Sequence, residues 1–218
     1  MKLFKNIKKW LENQEHLFYL FLFILIVPNI VLCFTEPLPV MAKVANVLLP
    51  FGCYYLLMTL SRNCGKMLWI LFLFLFFGAF QIVLLYLFGQ SIIAVDMFLN
   101  LVTTNSSEAL ELLDNLTPAI IAVIILYVPA LILGTISIIR KRKLSVEFIR
   151  RERKRAFIVF GISLLSLAGA YVQDSGYELK SDLYPLNVCY NVGLAFQRTV
   201  LTQNYHQTSK DCPLEGKT

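Results

Sequence analysis

The sequence predicts an all-α membrane protein with five transmembrane helices, an amphipathic loop helix on the outer side and an outer C-terminal bridging segment. Three observations carry this reading. Of the 218 residues, 57% are hydrophobic and 16% charged, whereas soluble domains run at about 45–50% and about 25%. Runs without Asp, Glu, Lys or Arg recur five times, at His16–Thr35, Val44–Ser61, Met67–Val95, Asn115–Ile139 and Ala156–Gln173. The basic residues gather in alternate connections. Disorder, a collagen repeat and a secreted disulfide scaffold are excluded by the same composition.

Each charge-free run is close to or above the ~20 residues that cross a hydrocarbon core of about 30 Å. A backbone in lipid must satisfy its own hydrogen bonds, so the runs should be helical. Spans are expected near 17–35, 44–61, 67–89, 117–139 and 156–172, giving a membrane domain over 1–172 and a tail over 173–218. The first span follows Lys2, Lys5, Lys8 and Lys9. It is too long for a signal peptide and lacks a small-x-small cleavage site, so it reads as an uncleaved anchor. Cys33 lacks the small residue that precedes a lipoprotein cysteine. Pro28 and Pro129 predict kinks in the first and fourth spans.

The segments before span 1, between spans 2 and 3, and between spans 4 and 5 hold 15 of the 20 Lys and Arg. The loop between spans 1 and 2 holds only Lys43, and the loop between spans 3 and 4 holds none. Basic loops stay cytoplasmic, which places the N-terminus inside and the tail outside. The most basic loop, Arg140–Arg155, reads as a topology determinant on anionic lipid head groups and not as a nucleic-acid site.

Catalytic groups are sparse. Cys33 and Cys53 fall in spans, Cys64 in a turn, and Cys189 and Cys212 in the tail, where the last two are close enough in sequence to be candidates for a disulfide. No pair has zinc-ligand spacing. With only His16 and His206, no histidine cluster or catalytic triad can be assembled, and there is no glycine-rich phosphate loop. No metal or other cofactor is therefore expected in this chain.

The informative segment is the outer loop Met97–Leu116, expected as an interfacial helix near 92–113. Asn100, Thr104 and Glu108 recur at i, i+4 and i+8, so a helix aligns them in one polar stripe. Asp96 and Glu111 extend the stripe, and Leu99, Leu101, Val102, Leu110 and Leu113 supply apolar surface around it. Two readings stand. The stripe is either the solvated face of an interfacial helix or a pocket for a zwitterionic head group. In the second, the carboxylate meets an ammonium while amide and hydroxyl donate to phosphate.

This loop and the five-span layout resemble the membrane domain of the lipid A phosphoethanolamine transferases, bacterial inner-membrane enzymes associated with polymyxin resistance. That family carries an Asn-x3-Thr-x3-Glu stripe here, which Asn100, Thr104 and Glu108 match. The tail segment Leu183–Gln197, through Pro185, Asn187 and Asn191, is similar to the family's bridging helix. The resemblance implies a periplasmic loop helix and tail. It implies phosphatidylethanolamine as donor, lipid A as acceptor, and the bilayer as the chain's other partner. It also implies a sulfatase-like catalytic domain in which a zinc-bound threonine is the nucleophile. That nucleophile and those zinc ligands are not among these residues, so the chain is expected to be a fragment or truncated product, inactive alone. Two alternatives remain open. One is the membrane domain of a phosphoglycerol transferase, in which Glu108 would have no ammonium to pair. The other is a non-enzymatic partner-binding membrane protein, since the spans hold little polar content beyond Asn29 and Gln81.

Overall fold

The computed structural model describes residues 10–88 and 106–211. Every regular element among them is a helix. The first, α1, spans Gln14–Thr35; Asn13 caps it, its side-chain oxygen accepting from the Glu15 N–H at 2.9 Å. It stops at Glu36 because Pro37 follows and drives Glu36 to an extended conformation. The second helix, α2, spans Val40–Met58 and starts directly after Pro39. It begins four residues before the charge-free run because Lys43 sits in its first turn, where a proline start outweighs a single charge.

The expected third span is broken. Residues Cys64–Ile70 form α3 and Phe72–Phe88 form α4, with axes bent by 63° at Leu71. A long-range backbone contact goes with the direction of α3 itself. Its first turn lies against the backbone of α5, which spans Ser106–Ile139. A Cβ on Gly65 would fall 2.2 Å from the Gly134 carbonyl oxygen, so only glycine allows the approach. The α4 helix packs against α1 and α5.

At 34 residues, α5 is about 51 Å long at 1.5 Å per residue, well beyond the hydrocarbon thickness. The sixth helix, α6, spans Val146–Gln173 and is capped by Ser145, whose hydroxyl oxygen accepts from the Phe148 N–H at 3.0 Å. It adds about three turns of charged sequence ahead of its apolar stretch. Among the described residues four helices, α1, α2, α5 and α6, are long and apolar enough to cross a membrane, and the bent α3–α4 pair makes five if counted as one span.

The α2–α6 pair is the most extensive contact. Small residues bring it close: Ala42, Ala45, Ala156 and Ala170 are fully buried, and a Cβ on Gly52 would meet the Phe160 backbone at 3.1 Å. The main core gathers Phe18 and Phe21 of α1, Tyr55 and Met58 of α2, Leu68 of α3 and Phe148 of α6. Outward, Phe34, Phe157, Leu165 and Val172 are strongly exposed, as suits helices facing lipid.

After α6 the tail folds back. A short helix, α7 (Leu179–Asp182), leads to α8 (Leu186–Asp211). Tyr177 packs with Ala42, Ala45 and Ala170, while Tyr184 and Val188 pack with Leu32, Leu84 and Leu85. The bundle therefore has two ends. One carries the turns 59–63 and 140–145 (the basic end); the other carries the tail.

Candidate functional site

At the tail end, two asparagines inside apolar helices organise the polar contacts. Pro50 has no N–H, so the carbonyl of Asn46, four residues earlier in α2, has no helical donor. Asn29 of α1 supplies one: its Nδ2 donates to the Asn46 carbonyl at 2.9 Å and to the Tyr184 carbonyl at 2.7 Å. The Asn46 side chain then reaches the tail. Its Nδ2 donates to the Asp182 carbonyl at 2.6 Å, and its Oδ1 accepts from the Tyr177 hydroxyl. Burial, aided by the nearby Asp182 carboxylate, pushes the Tyr177 phenol well above its ordinary pKa. It therefore stays protonated and donates, which fixes the orientation of the Asn46 amide.

Two further bonds close the tail onto the bundle. Gln173, the last residue of α6, accepts from the Met41 N–H at 2.8 Å through Oε1. That donor is one of the orphan N–H groups of α2, whose cap, Pro39, makes no side-chain bond. The Tyr184 hydroxyl donates to the Phe74 carbonyl of α4 at 3.3 Å, and burial raises its pKa as well. Gly78 gives this phenol room, since a Cβ there would meet Pro28, the Tyr127 hydroxyl and the Tyr184 hydroxyl within 3.3 Å.

Three buried polar groups along this seam remain without a hydrogen-bond partner among the described residues: Asn29 Oδ1, the Tyr127 hydroxyl and both polar atoms of the Asn187 side chain. Amides, phenols and carbonyls can orient and hold a polar group. They do not supply an activated nucleophile. Among the described residues no three His, Cys, Asp or Glu converge for a metal ion. Cys189 carries a free thiol, and Cys212 lies outside the described residues.

Of the sequence-predicted site, Asn100 and Thr104 lie outside the described residues. Glu108 is in the first turn of α5, where only the backbone is described. That turn is at the far end of α5 from the basic end. The loop helix near 92–113 overlaps the described chain only over 106–113, where the backbone is continuous with α5. In the tail, Pro185 precedes α8 and Asn187 is fully buried in its first turn. Sequence reasoning noticed Asn29 but passed over Asn46, Tyr177 and Tyr184. The usable signal was Pro50, which four residues on leaves the Asn46 carbonyl in need of a donor.

At the basic end Glu152 is fully buried. It accepts from the Tyr55 hydroxyl, from Arg151 Nε at 2.9 Å and from an Arg155 guanidinium nitrogen at 2.9 Å. The turns are tied by side chains to carbonyls: Arg62 Nε to Leu144 at 2.9 Å, Asn63 Nδ2 to Arg142 at 2.9 Å, and Arg153 to Thr59 at 2.7 Å. Beside them lies a cavity of about 490 Å³ lined by Arg62, Val146, Ile149, Arg150, Arg153, Lys154 and Phe157.

The fold and these contacts define an all-α chain with several membrane-length helices and a tail clamped to one end of the bundle. No protein-family model, no curated protein and no solved structure matches it.

Proposed function

We propose that this chain is the anchoring and donor-lipid-docking portion of a bacterial inner-membrane phosphoethanolamine transferase, with its N-terminus cytoplasmic and its tail periplasmic. The observation that supports this reading best is the Asn100, Thr104 and Glu108 stripe, which leads into the tail end of α5. A carboxylate, a hydroxyl and an amide spaced for one helical face match the ammonium and phosphate of phosphatidylethanolamine. The tail clamp of Asn29, Asn46 and Tyr177 would hold the following segment beside that docked lipid. Transfer to lipid A would be done by the zinc-bearing domain that the resemblance implies, and this chain's part is to bind and orient the donor.

The test is retention of lipid by the purified chain. Native mass spectrometry in a neutral detergent should show phosphatidylethanolamine retention that Glu108→Gln weakens by about tenfold, with phosphatidylglycerol retention unchanged by that substitution. Phosphatidylethanolamine retention unchanged by Glu108→Gln would sink the head-group reading and favour a partner-binding protein. Preference for phosphatidylglycerol at this stripe would favour a phosphoglycerol transferase.

A further inference from the structure

The basic residues at the start of α6 are of two kinds. Arg151 and Arg155 are committed to the buried carboxylate of Glu152. Arg150 and Lys154 are exposed and have no hydrogen-bond or ion-pair partner among the described residues, and Arg153 uses one guanidinium nitrogen on the Thr59 carbonyl. Val146, Arg150, Arg153 and Phe157 follow one another at spacings of four, three and four, so they share one face of α6. Arg62 approaches that face from the α2–α3 turn, held there by its bond to the Leu144 carbonyl.

These side chains line the 490 Å³ cavity, whose walls hold four cations, three apolar side chains and no carboxylate. Like charges so placed repel one another, and no protein anion in the lining offsets them. The apolar part of the wall is equally specific. Phe157 is 62% exposed, and beyond it on the same face a Cβ on Gly161 would meet nothing within 4 Å. Leu164 and Leu165 continue as exposed apolar surface. A half-open pocket, mostly apolar in its wall and carrying four cationic side chains, thus opens onto an uncovered hydrocarbon-compatible strip.

We infer that this cavity binds the phosphate head group of an anionic phospholipid. Arg62, Arg150, Arg153 and Lys154 hold the phosphate oxygens, and an acyl chain lies along Phe157 and Gly161. Guanidinium forks suit phosphate oxygens in bidentate fashion, and Lys154 adds a point charge. The absence of a carboxylate in the lining disfavours a head group that carries an ammonium. The site is at the opposite end of the bundle from Glu108 and does not depend on the transferase reading.

The full chain, purified in a neutral detergent, would be titrated with dioleoyl phosphatidylglycerol, with dioleoyl phosphatidylcholine and with inorganic phosphate, and retention followed by native mass spectrometry. Phosphatidylglycerol should be retained over phosphatidylcholine. The double variant Arg150→Gln, Lys154→Gln should weaken it by about tenfold or more. Neither side chain has a partner among the described residues, so the variant should keep the wild-type unfolding temperature. The control Arg140→Gln, Lys141→Gln removes equal charge outside the cavity and should leave retention unchanged. Three results would overturn the inference: equal retention of the two lipids, equal loss in the control, or displacement of phosphatidylglycerol by millimolar inorganic phosphate. The second would mean diffuse attraction, and the third a site for the free anion.

Discussion

Asn29 does more than a polar residue in an apolar helix usually does. One Nδ2 serves two acceptors, the carbonyl that Pro50 leaves without a helical donor and the carbonyl of Tyr184 in the tail. Replacing it by alanine strands both at a buried position. The expected cost of Asn29→Ala is about 1–3 kcal/mol, read as a lower unfolding temperature in detergent. The tail should also become easier to cleave by protease. The source of the cost can be separated by a double-mutant cycle with Pro50→Ala. Alanine at position 50 restores the N–H that reaches the Asn46 carbonyl, so the double variant should regain part of the loss, with a coupling of about 1 kcal/mol. Additive effects would mean that the Asn46 carbonyl is not what Asn29 satisfies.

Among the elements, the helices were largely legible and their ends were not. The runs at His16–Thr35 and Asn115–Ile139 reappear within α1 and α5 because 20 or more apolar residues in sequence leave the backbone no other solution. A charge-free interval says nothing about caps, however. Proline starts α2 before Lys43, and Ser145 starts α6 within the basic loop. The break at Leu71 was invisible because no proline or glycine marks it. It goes with a backbone contact between Gly65 and Gly134, 69 residues apart in sequence. That contact predicts an asymmetry between glycines. Gly65→Ala would put a methyl within 2.2 Å of a carbonyl oxygen and should cost about 1–3 kcal/mol. Gly161→Ala, with nothing within 4 Å, should cost nothing and gain up to about 1 kcal/mol in helix propensity. Thermal unfolding of the two variants side by side tests this, and equal losses would show that the α3–α5 approach is not close in solution.

For the whole molecule, the two ends differ in chemistry as well as position. Turns 59–63 and 140–145 and the start of α6 bring arginines together with the fully buried Glu152, whereas the tail end is joined by neutral amides, phenols and carbonyls. The candidate stripe was legible only as spacing in the sequence, because Asn100 and Thr104 lie outside the described residues. The knot beneath the tail was missed because its partners are more than 100 residues apart. The charge difference predicts an orientation: moving the basic end across a membrane would expose its arginines to the hydrocarbon and to the opposing potential. A variant keeping Cys189 as its sole cysteine should react with a membrane-impermeant maleimide in intact spheroplasts, since that residue is exposed on α8. With all native cysteines replaced, the thiol introduced by Lys143→Cys in the basic turn should react only after permeabilisation. The reverse pattern would put the tail in the cytoplasm. Glu108 would then face the wrong leaflet for a periplasmic transferase, and the donor-lipid reading would fail together with the orientation.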